Sequence, residues 1–247
     1  PMGAVGRCDI GRVRIQNEDC IYISENPDTE FEYYIVADGM GGHNAGEIAS
    51  SSAIKYFNEY LSRQEIKEEA DILDTFVEAL SYSNMEIYKM SQNDSSMNGM
   101  GTTFTAAAVI GNKLYGLHVG DSRIYVYDKN GLKQLTKDHS FVMEMVRMGK
   151  LTIDEARVHP KRNMITRAVG IEETIPADTV ICTLEDDSIV LVCSDGLSTM
   201  ITDDEIEKIL KKKTDIGKKA DLLVELANKN GGYDNISVIL ADRRVDN

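Results

Sequence analysis

Four apolar runs follow one another between residues 103 and 136, and only short turns separate them. They read TFTAAAVIG, KLYGLHVG, SRIYVYD and LKQLT, and the last two meet at the turn sequence DKNG. Tight turns join antiparallel strands, whereas parallel strands need a crossover of about a dozen residues or more. This block therefore predicts an antiparallel meander and limits the folds that the chain can adopt.

Helical and strand patterns occupy separate blocks in the rest of the sequence. Further strands are predicted for CIYIS, FEYYIVA, DTVICTL, SIVLVCS and ISVILAD. Apolar spacing and capping signals predict helices over about 44–63, 71–91, 138–149 and 217–229, and another from Thr202. Asn44 and Glu47 form a capping-box pattern at the start of the first of these helices. Because helices and strands come in blocks, an α+β fold is favoured over a doubly wound parallel sheet.

Acidic residues recur where the predicted strands begin or end. Asp38-Gly39 follows YYIVA, where the strand is predicted to end in a turn before a helix. Asp121, Asp195 and Asp234 lie at other strand boundaries, and NED at 17–19 comes just before CIYIS. Any one of these residues is typical of a turn, and a chain with 41 acidic residues places some there by chance. The five sites together favour a second interpretation, a metal centre.

The chemistry of such a centre follows from its ligands. Several carboxylates brought together repel one another unless cations lie between them. Ligand sets made only of oxygen suit hard divalent ions such as Mg²⁺ and Mn²⁺ rather than zinc or copper. Two such ions about 3.5 to 4 Å apart can activate a water molecule and hold a phosphoryl group for in-line attack.

Composition excludes several other functions. The formal net charge is −14, which disfavours nucleic acid and anionic membranes as partners. Capture of a phosphorylated substrate by so acidic a chain requires arginine or bound metal. No apolar run approaches the roughly 20 residues that span a bilayer. The four cysteines form no CxxC pair, which favours a reducing compartment and predicts a cytoplasmic protein.

The domain organisation predicted from the 247 residues is a single domain over 1–247. The length allows one sizeable core, and no linker or repeat interrupts the sequence. Pro1 precedes Met2, so Met2 is predicted to be the natural start and Pro1 a remnant of cloning.

Eight motifs in sequence order resemble those of the type 2C metal-dependent serine/threonine protein phosphatases. They are RIQNED, VADGMGGHNAGEIAS, GTTFTAAAV, HVGDSRIY, LTKDHS, ITRAVG, VLVCSDGL and GGYDNISVIL. The resemblance covers roughly residues 3–242 and is closest to small bacterial members of the family. It implies two stacked antiparallel β-sheets flanked by helices, with a metal centre at one edge. It also implies hydrolysis of phosphoserine and phosphothreonine in proteins by a water activated at two Mn²⁺ or Mg²⁺ ions.

The resemblance also implies roles for individual residues. Asp38 would bridge the two core ions, and the carbonyl of Gly39 would complete the ligands of the first. Asp195 and Asp234 would bind the second ion. Asp121, together with Asp195, would bind a third and weaker ion.

Three further residues have implied roles around the ions. Glu18 and Asp19 would act through metal-bound waters or by orienting the ligands. Arg14 would hold the substrate phosphate with its guanidinium fork. The variable segment of roughly 143–165 resembles the flap that influences substrate choice in the family.

One departure from the family pattern concerns the proton donor for the leaving group. Eukaryotic relatives carry a histidine directly after the aspartate-glycine pair, and this chain has Met40 there. Either metal-bound water or His43 would then supply the proton.

Two other functions are open alternatives to a protein phosphatase. One is a catalytically silent binding module, which loss of a core ligand would favour, although Asp38, Asp195 and Asp234 are all present. The other is a phosphatase acting on small phosphate esters, which a substrate panel would distinguish. The main hypothesis predicts phosphoproteins as partners, an opposing serine/threonine kinase among them, and a monomeric chain.

Overall fold

The computed structural model describes residues 3–25, 31–66 and 68–243. Pro1 and Met2, to which the prediction of the natural start refers, lie outside these ranges. The strands are β1 (Gly3–Asp9), β2 (Asp19–Ile23), β3 (Glu32–Met40), β4 (Gly101–Thr102), β5 (Phe104–Ile110), β6 (Lys113–Val119), β7 (Arg123–Asp128), β8 (Gly131–Gln134), β9 (Asp178–Thr183), β10 (Ile189–Cys193) and β11 (Ile236–Asp242). The α-helices are α1 (Ala45–Ser62), α2 (Ile72–Asn93), α3 (Phe141–Arg147), α4 (Ile153–Val158), α5 (Asp195–Ser198), α6 (Asp203–Leu210) and α7 (Ile216–Lys229).

The strands form two antiparallel sheets. One sheet has five strands in the order β1-β11-β10-β7-β8. The other has the order β2-β3-β5-β6-β9, and the short strand β4 adds to β3. Every pairing between named strands is antiparallel, as the short turns predicted. The four runs at 103–136 do not form a single meander, because the pair β5–β6 and the pair β7–β8 belong to different sheets.

Side chains from the two sheets form a shared core between them. Tyr34 and Val36 of β3 point into this core, where they join Ile239 and Ala241 of β11. Their neighbours on β3, such as Ile35, point to the opposite face. Successive strand residues face opposite sides of a sheet, so a strand buried on both faces is apolar without interruption, as YYIVA is.

Helices cover the outer faces of both sheets. Phe57 of α1 and Phe76 of α2 pack against the six-stranded sheet, with ring centroids 5.1 Å apart. Leu223 of α7 and Ile206 of α6 pack against the five-stranded sheet. The order of layers is therefore helix, sheet, sheet, helix, which confirms the predicted α+β sandwich.

Strand β3 differs from its prediction in a way that affects the site. The sequence predicts that the strand ends in a turn at Asp38-Gly39, but β3 continues through both residues to Met40. The reason is β4, whose Thr102 and Gly101 pair with Gly39 and Met40. The backbone of Asp38 is therefore held in a sheet.

Several helix boundaries also differ from prediction. Asn44 forms no side-chain cap on α1, because its Oδ1 accepts a hydrogen bond from Gln16 Nε2 at 2.8 Å. The helix predicted over 138–149 begins only at Phe141, capped by the Ser140 hydroxyl. The predictions did not include β1, α4 or α5, which are short or begin without a marked pattern.

Two expectations about the environment of the chain can be compared with the structure. All four cysteines are free thiols in the structure. Among the described residues, no helix has both the length and the hydropathy required to cross a membrane.

Candidate metal centre

Three aspartates meet at the edge of the sandwich where strands of both sheets end. Asp38 lies near the end of β3, and Asp195 follows β10 as the first residue of α5. Asp121 lies in the turn between β6 and β7, which crosses from one sheet to the other. One carboxylate oxygen from each residue can be chosen so that all three lie within 4.8 Å of one another. We call this group the acid cluster.

Hydrogen bonds from Thr103 fix two members of the acid cluster relative to each other. The backbone N–H of Asp38 donates to Thr103 Oγ1 at 3.0 Å, and the N–H of Thr103 donates to the Asp38 carbonyl at 2.9 Å. Thr103 Oγ1 is also 2.8 Å from Ser122 Oγ, beside Asp121. Because a hydroxyl that accepts from one partner still has its own proton, Thr103 can donate to Ser122.

The turn that carries Asp121 is held from its other side by His139. The N–H of Gly120 donates to His139 Nδ1 at 3.0 Å, and the N–H of His139 donates to the Gly120 carbonyl at 2.8 Å. Nδ1 therefore acts as an acceptor, and His139 Nε2 carries the proton that it donates to Asp178 at 2.7 Å. The hydrogen bonds of its two ring nitrogens, one to the Asp121 turn and one to Asp178, give the histidine of the LTKDHS motif a structural role.

Gly39 is required by its surroundings. A Cβ atom at this position would lie 1.8 Å from the carbonyl oxygen of Gly46 in α1. The N–H of Gly39 also donates to the carbonyl of Glu18, the residue just before β2, at 2.9 Å. The glycine therefore permits close contact between β3 and the start of α1, a reason that is not apparent from the sequence.

Burial and mutual repulsion dominate the electrostatics of the acid cluster. Burial raises the pKa of Asp38 well above its ordinary value, and the negative charges of Asp19 and Asp195 raise it further. Burial likewise raises the pKa of Asp121, with Asp195 adding to the effect. Burial raises the pKa of Asp19 to about 7, although a hydrogen bond from Ser237 lowers it. Ionisation of all these carboxylates together is therefore unfavourable for the chain by itself.

Two carboxylate oxygens beside the cluster are buried without a hydrogen bond. Asp195 Oδ1 and Asp19 Oδ1 have no such partner within the described part of the chain. Buried polar atoms are nearly always satisfied, so each of these oxygens calls for a ligand. Several carboxylate oxygens with no nitrogen or sulfur donors fit a hard divalent ion such as Mn²⁺ or Mg²⁺.

The acid cluster opens into a surface cavity of about 440 Å³, which we call the acidic cavity. Arg14 and Asp234 line it, and Arg14 Nε lies 3.4 Å from Asp234 Oδ1. Asp234 is outside the cluster itself, but burial and the charge of Asp195 raise its pKa. Glu18 lines the same cavity, and burial raises its pKa while Arg14 lowers it. The structure thus brings all the predicted site residues to one edge.

Met40, which stands where eukaryotic relatives carry a histidine, and His43, one of the two predicted alternatives for the proton donor, lie in different places. Met40 is among the residues that line the acidic cavity. His43 is exposed at the start of α1, in the left-handed backbone region at a φ of 52°, and does not line that cavity. Its position therefore offers His43 no direct contact with a group bound at the acid cluster.

The predicted flap segment, roughly 143–165, lies beside the site. Its residues Met164 and Ile165 line the acidic cavity. A second cavity, of about 380 Å³, lies between helices α3 and α4 of this segment and the region of α5. We call it the flap cavity, and it shares Asp121 and Asp195 with the first. A change in the segment would therefore alter access to the acid cluster.

Sequence reasoning did not assign roles to three residues that build the site. Thr103 and Ser122 lie within quoted motifs, yet neither carries a charge that would single it out. Asn235 is buried, and its side-chain amide donates to the carbonyls of Ile10 and Gln16 at 2.9 and 3.0 Å. Its Oδ1 accepts from the N–H of Glu18. Its position directly after Asp234 is the only signal in the sequence.

Comparisons with known proteins agree with this architecture. A family model described as protein phosphatase 2C matches residues 3–236. A serine/threonine phosphatase, stp, of Listeria monocytogenes is 39% identical over 243 residues, which cover 98% of this chain and 96% of the relative. The solved structure of the Streptococcus agalactiae serine/threonine phosphatase superimposes with a TM-score of 0.92 at 36% identity, covering 99% of this chain and 100% of the other.

A further solved structure bears on the metal. It is the catalytic domain of the serine/threonine protein phosphatase PstP in complex with two manganese ions. It is 33% identical, with a TM-score of 0.85, and the match covers 98% of this chain and 97% of that one. On the fold, the geometry and these matches, the chain belongs to the protein phosphatase 2C family of serine/threonine phosphatases, which are hydrolases that act on phosphoproteins.

Proposed function

We propose that this chain is a metal-dependent phosphatase that removes phosphate from phosphoserine and phosphothreonine in proteins. The observation that carries the proposal is the acid cluster, in which three carboxylates meet at a buried strand edge within 4.8 Å of one another. Such an arrangement is unfavourable unless divalent cations neutralise it. The two manganese ions in the PstP catalytic domain support the same conclusion for this chain.

The residues that would hold the ions are those at the acid cluster and the adjoining wall of the acidic cavity. Asp38 would bridge two core ions, with the Gly39 carbonyl on the first ion and Asp195 and Asp234 on the second. When bound, Mn²⁺ or Mg²⁺ would supply an activated water as nucleophile and neutralise charge on the phosphoryl oxygens. Glu18 and Asp19 would orient the metal ligands and the metal-bound waters. Both lie beside the acid cluster, and the pKa of each is raised.

The substrate phosphate would be held by Arg14. Its guanidinium is about half exposed, lines the acidic cavity and contacts Asp234 only loosely at 3.4 Å. A planar fork of donors matches two phosphoryl oxygens. Because the chain is strongly acidic overall, the ions and Arg14 together would supply the positive charge that attracts the substrate.

Asp121 would bind a third, weaker ion with Asp195, at the boundary between the acidic and flap cavities. Asp121→Asn should then reduce turnover and lower the number of bound Mn²⁺ ions by one, with the two core ions retained. Metal content in crystals of the wild type and the variant would show this. Equal content in both would contradict the assignment.

The proposed physiological setting follows from the activity. We propose that the 247 residues act as one catalytic domain, monomeric and cytoplasmic, on phosphoproteins that include an opposing serine/threonine kinase. The short connections between the two packed sheets support a single domain. Sedimentation of the purified chain would test the monomer.

The experiment that tests the proposed activity is hydrolysis of a phosphothreonine peptide. Protein stripped of metal should be inactive, and added Mn²⁺ or Mg²⁺ should restore turnover. A tyrosine-phosphorylated peptide of the same sequence and a panel of small phosphate esters serve as controls. Full activity of stripped protein in excess chelator would contradict the metal requirement. Preference for a small ester would favour the alternative function.

A further inference from the structure

The loop that carries Arg14 exposes large apolar side chains beside the acidic cavity. This loop, residues 10–18, joins β1 to β2, and we call it the Arg14 loop. Within it, Ile15 is 93% exposed and Val13 is 58% exposed, so apolar residues stand on both sides of Arg14. Exposed apolar side chains mark sites of interaction where several of them lie together on the surface.

Asn235 clamps the Arg14 loop at both ends. Its side-chain NH₂ donates one hydrogen bond to the Ile10 carbonyl and one to the Gln16 carbonyl, at 2.9 and 3.0 Å. Its Oδ1 accepts from the N–H of Glu18 at 2.9 Å. Both donors of this buried amide and its acceptor are thus used to close the loop. The backbone that carries the exposed side chains of the loop is therefore held in place beside the cavity.

An exposed aromatic side chain lies on the neighbouring loop. Tyr233 immediately precedes Asp234 and is 61% exposed. A Cβ atom at Gly231 would lie 2.7 to 3.0 Å from the ring, so the ring packs over that glycine. The two loops are joined by the N–H of Arg12, which donates to the Gly232 carbonyl at 2.8 Å. The backbones of the two loops are therefore in direct contact.

Together these side chains form what we call the apolar rim, which consists of Ile10, Val13, Ile15 and Tyr233. In the described part of the chain, eleven large hydrophobic residues are exposed, and four of them belong to this rim. A phosphoserine or phosphothreonine whose phosphate contacts Arg14 belongs to a polypeptide. The loops on which Arg14 and Asp234 lie form one wall of the acidic cavity, so neighbouring residues that leave the cavity on this side pass over them.

We propose that the apolar rim binds an apolar side chain next to the phosphorylated residue of the substrate protein. The inference rests on the proposed phosphatase activity and adds a substrate preference to it. The position of the rim favours this occupant, because Val13 and Ile15 flank Arg14 and Tyr233 precedes Asp234, and both Arg14 and Asp234 line the acidic cavity. Since the backbone of the Arg14 loop is held in place before binding, ordering of the loop costs little when the substrate binds.

The test compares two phosphothreonine peptides of equal length and charge, one with leucine and one with serine on both sides of the phosphothreonine. The metal-loaded full chain should hydrolyse the leucine peptide with a kcat/KM about tenfold higher, since burial of one aliphatic side chain is partial. Ile15→Ser should bring this ratio close to one, and Tyr233→Ser should lower it as well. Ile15→Val should keep most of the preference.

The matched control is Ile181→Ser, because Ile181 is 60% exposed on β9 at the far edge of the six-stranded sheet. This variant should keep the wild-type ratio. A wild-type ratio near one, or an equal fall in Ile181→Ser, would overturn the inference while leaving the phosphatase activity in place. If Ile15→Ser changed the sedimentation coefficient but not the ratio, the rim would be a contact between copies of the chain. Inactivity on both peptides and on p-nitrophenyl phosphate would overturn the proposed function as well.

Discussion

Two buried acidic sites lie side by side in this molecule, and their negative charges are neutralised in different ways. Asp138 is buried with Arg123, whose Nη2 and Nε donate to its two carboxylate oxygens at 2.6 and 2.9 Å. Burial alone would lower the pKa of Arg123, but the charge of Asp138 reverses this and the pKa is raised. Asp38, Asp121 and Asp195 meet a short distance away, and none of them is paired with an arginine in this way among the residues that the structure describes.

The difference separates a structural use of buried charge from a functional one. The Arg123–Asp138 pair is complete within the chain, so it needs nothing from solution. The acid cluster combines raised pKa values with an oxygen on Asp195 that makes no hydrogen bond among the described residues. The positive charge that neutralises its carboxylates has to come from outside the chain, and divalent ions suit these oxygen ligands.

The largest expected effect is on catalysis at the acid cluster. Asp38→Asn and Asp195→Asn should each lower kcat/KM on a phosphothreonine peptide by about a thousandfold or more. Each removes a charged ligand, several kcal/mol of charge stabilisation are lost with it, and 1.4 kcal/mol corresponds to about tenfold. Steady-state kinetics in saturating Mn²⁺ would measure this. Near wild-type activity in Asp38→Asn would exclude it as a bridging ligand.

The two acidic sites should respond oppositely in stability. Asp138→Asn leaves Arg123 buried without its counterion and should lower the free energy of unfolding by about 3–5 kcal/mol. Asp38→Asn removes one of several repelling charges and should leave metal-free protein at neutral pH as stable as the wild type or more so. Urea unfolding of the metal-free proteins compares them. Equal destabilisation by both changes would mean that the cluster is balanced within the chain.

Stabilisation of the fold by Mn²⁺ should also depend on pH, because pKa values are raised in and beside the acid cluster. Asp19, with a folded pKa of about 7, keeps a proton that the unfolded chain releases near pH 4. The metal-free fold therefore loses stability as pH rises through this window, and protons compete with ions for the same oxygens. Added Mn²⁺ at about 100 times its Kd should stabilise the fold by about 2.7 kcal/mol near neutral pH, and by far less near pH 5.

Thermal unfolding with and without Mn²⁺ at several pH values measures this dependence. Asp138→Asn serves as the control, because the change lies outside the proposed ligand set and should keep the trend. An Mn²⁺ effect that did not vary between pH 5 and neutral pH would show that the raised-pKa carboxylates do not bind the ion.

The smallest expected effect concerns Arg14. Arg14→Ala should lower kcat/KM by about ten- to a hundredfold, because charge-assisted bonds to phosphate are weakened by solvent at an open site. Both a higher KM and a lower kcat are expected, since the fork contacts the substrate and the transition state. Calorimetry should show unchanged Mn²⁺ binding. A large loss of Mn²⁺ affinity would mean that Arg14 acts through the fold instead.

Most of the sheet architecture follows from the sequence, and the exceptions have physical reasons. Uninterrupted apolar runs such as YYIVA indicate strands that are buried on both faces, and the short turns indicate antiparallel pairing. The end of β3 was predicted wrongly because its pairing partner, Gly101–Thr102, comes from a distant two-residue strand. The capping role predicted for Asn44 was wrong because Gln16, 28 residues away, takes its side-chain oxygen. Contacts between distant segments override local signals.

Sequence analysis identified the charged residues of the site, but it did not identify the neutral residues that hold them in position. Aspartates at strand ends can be recognised individually, and ordered motifs bring them together. The hydroxyl of Thr103 and the amide of Asn235 act through hydrogen bonds that only the folded chain defines. The need for Gly39 likewise comes from its contact with Gly46 in another element. Neutral residues that position others are difficult to recognise in a single sequence.

The most direct test of the account is a calorimetric Mn²⁺ titration of the metal-free chain near neutral pH. We expect saturable binding of at least two ions to the wild type, with proton release because the raised-pKa carboxylates must ionise. Asp38→Asn should lose most of this binding, and Asp138→Asn, if it stays folded, should retain it. Absence of saturable binding to the wild type, or unchanged binding to Asp38→Asn, would contradict the claim that the acid cluster is balanced by metal ions.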